Sequence, residues 1–549
     1  MKRRTKIILL ASVITFLIGW AVEPAVVRWQ VTKRLPAGVH AGGPIQLGWS
    51  GVTLHDVSVD RDWVTGILKE VWVARSGAVE VRGGDLWIDA DKRPKGSGEG
   101  EHRSITATGL TLAVQKGDFS ANLTGASWDG SQACFTEGTV LHTKGVLNVV
   151  HGCYVKADES VTADQVTTHI TDLPKIPGLT LTETDVTANA VVAWRDKDLF
   201  VVNVKSFTAG PISGLGAHLS GSTEVGILFF DAVQLTIQHP WLSKEPTRFD
   251  DIHLSLKDRV GHLLWNSNVL AEADPAAQTV HGDASCQEWM NVLPESWRVG
   301  PLKTLKWTGN LGFNVQMKPK PTFSVVAKCK AICTDFPNLR TAFQYDAYRA
   351  DGTTFGRPTG PGTADWVPIA DAGQMPMAVI NMEDYSFPFH HGYLSDAFQN
   401  SFVSDVQTGK FARGGSTITQ QTAKNLWLKR EKTIGRKVSE LFLAQALESC
   451  LTKDQIIETY LNIVEFAPNV YGIGPGAKHW FDKKPEALTP TEAFWLASIL
   501  PAPKRAHQPT AADLKRIDQL MALLATKGRI PDVGGADDDI DTTGWSVNP

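Results

Sequence analysis

The sequence predicts a multidomain chain: a short N-terminal membrane anchor, a large β-rich domain and a mostly α-helical C-terminal domain. Three observations predict it. A charge-free apolar run at residues 7–22 follows a basic start. Strand-like alternation, rich in Thr, Val and Gly, fills the chain from about Trp29 to Cys333, and from Met375 onward apolar residues recur at helical spacing. The 549 residues suffice for at least two domains, and 42% hydrophobic with 20% charged residues is ordinary for globular protein. A net charge of −4 gives no reason to expect nucleic acid as a partner. The boundaries read as 1–27 for the basic flank and anchor, 28–337 for the β-rich domain, 338–530 for the helical domain and 531–549 for an acidic tail expected to be disordered.

Lys2, Arg3, Arg4 and Lys6 hold the N-terminus on the cytoplasmic side. The apolar run is short for a span, which needs ~20 residues, but Ala25, Val26 and Val27 extend it past Glu23. We read an uncleaved anchor, because no small-x-small cleavage site follows; a cleaved secretory signal is the alternative. Either exports the remainder, and the expected location is a single pass of the inner (cytoplasmic) membrane with the bulk periplasmic. Six cysteines suit an oxidising compartment. Cys134 and Cys153 flank an expected hairpin and are expected to bridge. Cys286 could pair with Cys329 or Cys333, while Cys450, in an expected helix, reads as a buried thiol. Buried free thiols throughout are the competing reading, and no Cys or His cluster has zinc spacing.

In the β-rich domain Leu110, Leu112 and Val114 alternate with Thr111 and Ala113. Two such runs, 186–194 and 199–204, meet at the hairpin signature Arg195, Asp196, Lys197, Asp198. A Gly-x-Thr-Leu phrase at Gly51 recurs at Gly109 and Gly178, and residues 92–103 read as a flexible polar loop. With His55 to Val59 behind it, the Gly51 phrase resembles the strand repeats of AsmA-like envelope proteins, which form long lipid-carrying β grooves. The competing reading is a β-rich spacer, or a surface through which cell-wall synthesis proteins dock.

In the C-terminal domain residues 345–361 read as turn-rich. A helix is expected over 416–429, entered through Gly414 and Gly415, and a second over 436–451 with Leu441, Leu443, Ala444 and Leu447 on its apolar side. A third follows over 455–462, capped by Thr452 and Asp454, and another over 489–500 stops at Pro501. Two carboxylates, Glu383 and Glu440, bracket a Gly-Gly turn, a Ser/Thr/Gln cluster and many cations. Between Lys410 and Lys453 stand nine Lys/Arg against three acids. A carboxylate that takes a proton, with cations around a leaving group, suits transfer from a phosphate or pyrophosphate ester.

Four ordered motifs sharpen this. Glu383, Asp384, Phe387, His390 and Gly392 form E-D-x-x-F-x-x-H-x-G, and Gly414 to Gln421 read G-G-S-T-I-T-Q-Q. Arg436, Lys437 and Glu440 form R-K-x-x-E, and Lys453, Ile456, Tyr460, Leu461 and Asn462 form K-x-x-I-x-x-x-Y-L-N. Together they resemble the peptidoglycan glycosyltransferase family of class A penicillin-binding proteins and monofunctional transglycosylases, over about a third of the chain. One departure is Leu394, near where an acidic residue often follows the His-x-Gly.

The resemblance implies a lysozyme-like fold and an inverting enzyme that polymerises lipid II into β-1,4-linked glycan, releasing undecaprenyl pyrophosphate. It makes Glu383 the general base. Glu440 becomes the second glutamate, orienting cations, a bridging water or a metal ion. Lys424, Arg436 and Lys437 would face the pyrophosphate, with Lys432 a weaker candidate. Gly414 and Gly415 would permit close approach of the backbone. Ser416, Thr417, Thr419, Gln420 and Gln421, with Asp384, His390 and Asn462, would bind substrate. The apolar stretch of Tyr393, Leu394, Phe398, Phe402, Val403 and Phe411 would dip toward the bilayer, core packing being the other reading. The sequence requires no cofactor; a divalent cation, Mg or Mn, is left open without assigned ligands. No Ser-x-x-Lys with a downstream Lys-Thr-Gly follows, so no transpeptidase is expected. The alternatives are a glycoside-cleaving lytic enzyme, or a lipid-handling or scaffold envelope protein whose enzyme domain is inactive.

Overall fold

Period-two alternation closed by two-residue turns gives long hairpins, and these dominate the first half of the chain. A computed structural model describes residues 35–529, apart from 36, the segments 93–103, 172–182, 318–320 and 402–414, and the single positions 77, 144, 223, 267, 350 and 398. The expected anchor, the Gly178 phrase, nearly all of the expected loop 92–103, the tail, Gly414, Phe398, Phe402, Val403 and Phe411 lie outside the described residues. Among the described residues no helix is long and apolar enough to cross a membrane.

Contacts divide the chain into two units, one formed by residues up to 237 with 250–261, the other by 238–249 with 262 onward. This differs from the boundary expected at 337: the last part of the β-rich sequence belongs with the helices.

In the first unit Gly51–Arg61, Val64–Ala74 and Val79–Asp89 pair antiparallel. Val79–Asp89 then pairs in parallel with Ile105–Lys116. From there to Ile227–Ile237 each strand pairs antiparallel with the next. Arg195, Asp196, Lys197 and Asp198 join Glu183–Asp196 to Leu199–Ala209 as expected. Register sorts the later strands into rows. One row runs Gly138, Val149, Val166, Ala188, Phe207, Gly214, Leu235; its neighbour runs Thr139, Asn148, Thr167, Thr187, Thr208, Ser213, Thr236. One face is thus apolar and the other hydroxyl-rich, as period-two alternation requires. Cys134 and Cys153 face each other across a strand pair and form a disulfide.

The second unit begins with a small antiparallel sheet of Asn268–Asp274, Thr279–Ser285, Asn310–Gln316 and Thr322–Ala327. Helix α1, Cys286–Val292, follows its second strand through a capping box of Ser285 and Glu288. The turn-rich reading of 345–361 gives way to a hairpin, Phe343–Tyr348 against Thr354–Thr359. The helices are then α2 (Met375–Glu383), α3 (Ile418–Trp427), α4 (Ile434–Cys450), α5 (Lys453–Ile463), α6 (Ile473–Phe481), α7 (Pro490–Ile499) and α8 (Ala511–Thr526). Thr417, Thr452, Thr489 and Thr510 each close a capping box at the start of α3, α5, α7 and α8.

Helix α4 is not amphipathic in the expected way. Ser439 through Leu447 are all buried, so the helix is enclosed on every side. Cys286 bridges Cys329, within the expectation. Cys450 is no free thiol: it bridges Cys333, tying the C-terminus of α4 to the segment before the hairpin. No free cysteine remains.

Candidate active site

Glu383 is the last residue of α2, and its carboxylate accepts a hydrogen bond from Gln421 Nε2 on α3 at 2.7 Å. Gln421 is itself held: its Oε1 accepts from the buried Tyr460 hydroxyl on α5 at 3.2 Å. That bond decides which end of the amide faces the carboxylate. Burial pushes the Glu383 pKa up; the Gln421 bond and the positive charge of Lys424 oppose this, and Asp384 adds to it. A carboxylate biased upward from its ordinary range is suited to take a proton near neutrality. Burial also pushes the Lys424 ammonium pKa down, against the pull of Glu440 and Glu383 and alongside repulsion from Arg436 and Lys437.

Glu440 on α4 is 1% exposed, and both of its oxygens are occupied. Arg436 Nη1 reaches Oε2 at 2.5 Å, and Lys437 Nζ reaches Oε1 at 2.6 Å. Both partners lie one helical turn away, at i−4 and i−3. Lys437 Nζ also lies 3.3 Å from Ser416 Oγ, just ahead of α3. The Lys424 amine makes no ion pair or hydrogen bond among the described residues, although it lies within electrostatic reach of both glutamates. Three cations thus gather around one buried carboxylate, with the amine of Lys424 uncommitted. Lys432 lies outside this group, on an exposed loop.

Other expected substrate ligands turn inward. Asp384 accepts from His390 Nε2 at 2.8 Å and from the Ile418 N–H, the first residue of α3, at 3.0 Å. His390 Nδ1 accepts the Gly392 N–H at 3.0 Å, so the neutral ring carries its proton on Nε2. The Thr417 hydroxyl donates to the Gly392 carbonyl and accepts from the Gln420 N–H, while Gln420 Oε1 accepts from the Thr417 N–H. Thr419 donates to Glu448 at 2.6 Å. Asn462 bridges both backbone groups of Val367 at 2.8 Å. These side chains are buried, and for three of them the reason is local: Thr417, Gln420 and Asp384 accept N–H groups left unpaired at the start of α3. Of the expected substrate ligands, Thr417, Thr419, Asp384, His390 and Asn462 have their side-chain polar groups engaged inside the fold, and so has Gln420 Oε1, while Gln420 Nε2 has no partner there. Gly415 is exposed with φ 78°, a backbone conformation that suits glycine, at the turn into α3. Tyr393 packs half-buried against the core, its hydroxyl accepting from the Ala327 N–H, which favours core packing at that position.

Two residues escaped the reading of the motifs. Tyr460 stands in the fourth motif, yet only the folded chain reveals that its hydroxyl orients Gln421. Glu448 has no motif position; it receives Thr419 and Lys453, whose Nζ also donates to the His390 carbonyl at 2.7 Å. For a divalent cation the donor set fits poorly. Glu440 already holds two cations, and among the described residues no group of three His, Cys, Asp or Glu side chains could hold a metal ion.

A partly buried carboxylate of raised pKa beside a cation cluster is an arrangement suited to group transfer with an anionic leaving group. Residues 352–525 match the family described as Transglycosylase. Over 167 residues the chain is 40% identical to the biosynthetic peptidoglycan transglycosylase of Pasteurella multocida (strain Pm70), covering 30% of this chain and 68% of that protein. The protein of the same name from Nitrosomonas europaea is 43% identical over 127 residues, covering 23% of this chain and 52% of its own length. That from Paraburkholderia xenovorans (strain LB400) is 37% identical over 169 residues, covering 31% and 69%. The chain belongs to the biosynthetic peptidoglycan transglycosylase family.

Proposed function

We propose that the protein polymerises lipid II into β-1,4-linked glycan strands with release of undecaprenyl pyrophosphate. The observation that carries this reading is Glu383, a half-buried carboxylate of raised pKa, set beside the uncommitted Lys424 and the Arg436–Lys437–Glu440 cluster. In the reaction the sugar hydroxyl of the acceptor attacks the anomeric carbon of the growing chain. Glu383 takes the hydroxyl proton as that bond forms. The anomeric C–O bond breaks, and the pyrophosphate leaves with its charge stabilised by Lys424, Arg436 and Lys437. Glu440 holds the two α4 cations in place. Ser416 and Gly415 are the members of the second motif we assign to substrate contact; Gln421 serves the base, and the remaining buried motif residues are positioning residues.

Glycoside cleavage needs a second carboxyl group to act as acid or nucleophile. Glu440 does not suit that role, because both oxygens are held by cations. We place the enzyme at the inner membrane, with residues 1–27 as a single-pass anchor and the bulk periplasmic; the basic flank and apolar run support this. The β-rich domain is assigned to contacts with other cell-wall synthesis proteins. The test is incubation of the detergent-solubilised protein with labelled lipid II and resolution of products by size. The parent should yield long glycan, and Glu383→Gln should lower the rate at least ~100-fold with the fold intact. A variant within a few-fold of the parent would show that Glu383 is not the base.

A further inference from the structure

Helix α4 carries Arg436, Lys437 and Glu440 in its first two turns, so the placement of its N-terminus places the cations. A helix start leaves N–H groups without intrahelical partners. Here the N–H of Ile434 donates to the carbonyl of Trp241 at 2.7 Å, and that of Gly435 to the carbonyl of Leu242 at 3.1 Å. The third, of Arg436, goes to Thr433 Oγ1 at 3.2 Å. Two of the three partners therefore come from residues 238–249, nearly two hundred positions earlier and far upstream of the matched 352–525.

A second contact grips the same turn. Gly435 sits in the helix, where glycine is a poor choice on conformational grounds. Its neighbour explains it: a Cβ on Gly435 would lie 2.4 Å from Trp297 Nε1 and 2.5 Å from Cε2. The indole packs against the helix at the one residue without a side chain. Trp297 is buried and meets Phe249 edge-on at 5.9 Å, and its carbonyl accepts from Ser439 Oγ at 2.7 Å. Ser439 is the residue before Glu440.

We propose that residues 238–249 and Trp297 are a positioning element for the cation helix, so that transfer in this chain depends on segments outside the region it shares with its relatives. The inference rests on the transferase reading above. Displacing Trp297 moves the first turn of α4, and with it Arg436, Lys437 and Glu440, without touching the base on α2. The effect therefore falls on the chemical step, where the leaving-group charge develops, rather than on ground-state binding.

The experiment uses the full chain in detergent with labelled lipid II and compares the parent, Gly435→Ala, Gly435→Ala/Trp297→Leu and Ser439→Ala. Gly435→Ala should lower kcat about tenfold with KM little changed, although alanine alone favours a helix. Making room with Trp297→Leu should restore most of the lost rate. Ser439→Ala, which deletes one hydroxyl, should lower kcat several-fold. Hydrogen exchange at amides 434–440 reads the same contact without turnover: faster in Gly435→Ala, slowed again in the double variant. A parental kcat in Gly435→Ala overturns the proposal, as does a loss that the double variant does not relieve. Where Gly435→Ala fails to fold, parental kcat in Ser439→Ala overturns it. An inactive parent refutes the transferase reading instead, and the exchange comparison then decides the positioning claim alone: unchanged exchange in Gly435→Ala sinks it.

Discussion

Replacing Gln421 by Met tests how the base is tuned. Gln421 Nε2 donates to Glu383 at 2.7 Å, and this bond is the largest influence lowering a pKa that burial raises. Met keeps the volume and removes the donor. A hydrogen bond to a charged group contributes about 1.5–3 kcal/mol, which corresponds to about one to two pH units in a titration. Glu383 is not fully enclosed, so solvent offsets part of the loss and the lower end applies. The sign follows from the reaction. Only ionised Glu383 accepts a proton, so the rate falls as pH drops through its pKa. Without Gln421 the neutral acid is favoured, and the acid limb moves to higher pH. The assay is the pH profile of kcat/KM for lipid II polymerisation, which reports the free enzyme. The parent limb should lie above the ordinary glutamate range, with that of Gln421→Met about one pH unit higher still. Tyr460→Phe should move it the same way by less, since the amide stays but loses its orienting partner. A limb that stays put, or moves to lower pH, would refute the argument.

Lys424→Ala should lower kcat about 10- to 100-fold, as expected for loss of a charge-assisted contact to the leaving group, and steady-state kinetics on lipid II would check it. Glu440→Gln should also impair turnover although it raises the net positive charge, because Arg436 and Lys437 lose the carboxylate that aims them; a rate equal to the parent's would remove Glu440 from the site. Cys333→Ser with Cys450→Ser should cost about 2–5 kcal/mol in chemical denaturation, since the bridge closes a long stretch of chain.

Much of this was legible before folding. Alternation located the meander, and Thr452 announced its helix because a capping hydroxyl acts within three residues of itself. Glu383, Glu440 and the cations were legible because their chemistry requires those residue types. Partners distant in sequence were not. Cys450 looked like a core thiol because nothing local names Cys333, 117 positions away. Helix α4 looked one-sided because its pattern cannot show that residues 295–303 and 330–335 cover its other faces. The boundary was drawn at 337 on a change of texture, yet composition cannot report that Trp241 and Leu242 cap a helix at 434.

Burial separates the motif residues by task. Asp384, His390, Thr417 and Asn462 have their side-chain polar groups bonded inside the fold, and Gln420 Oε1 joins them, which fixes the ends of α2 and α3. Such buried networks are costly when partly satisfied and rigid when complete. They leave Glu383, Lys424, Ser416, Arg436 and Lys437 only partly covered. The charges then follow from the same logic. One buried Glu440 offsets one of three clustered cations, so the site retains positive charge that a pyrophosphate can neutralise. Arg436 and Lys437, each bonded to one oxygen of Glu440, compensate its burial and hold the three groups together. Preorganisation of this kind acts where charge develops in the transition state.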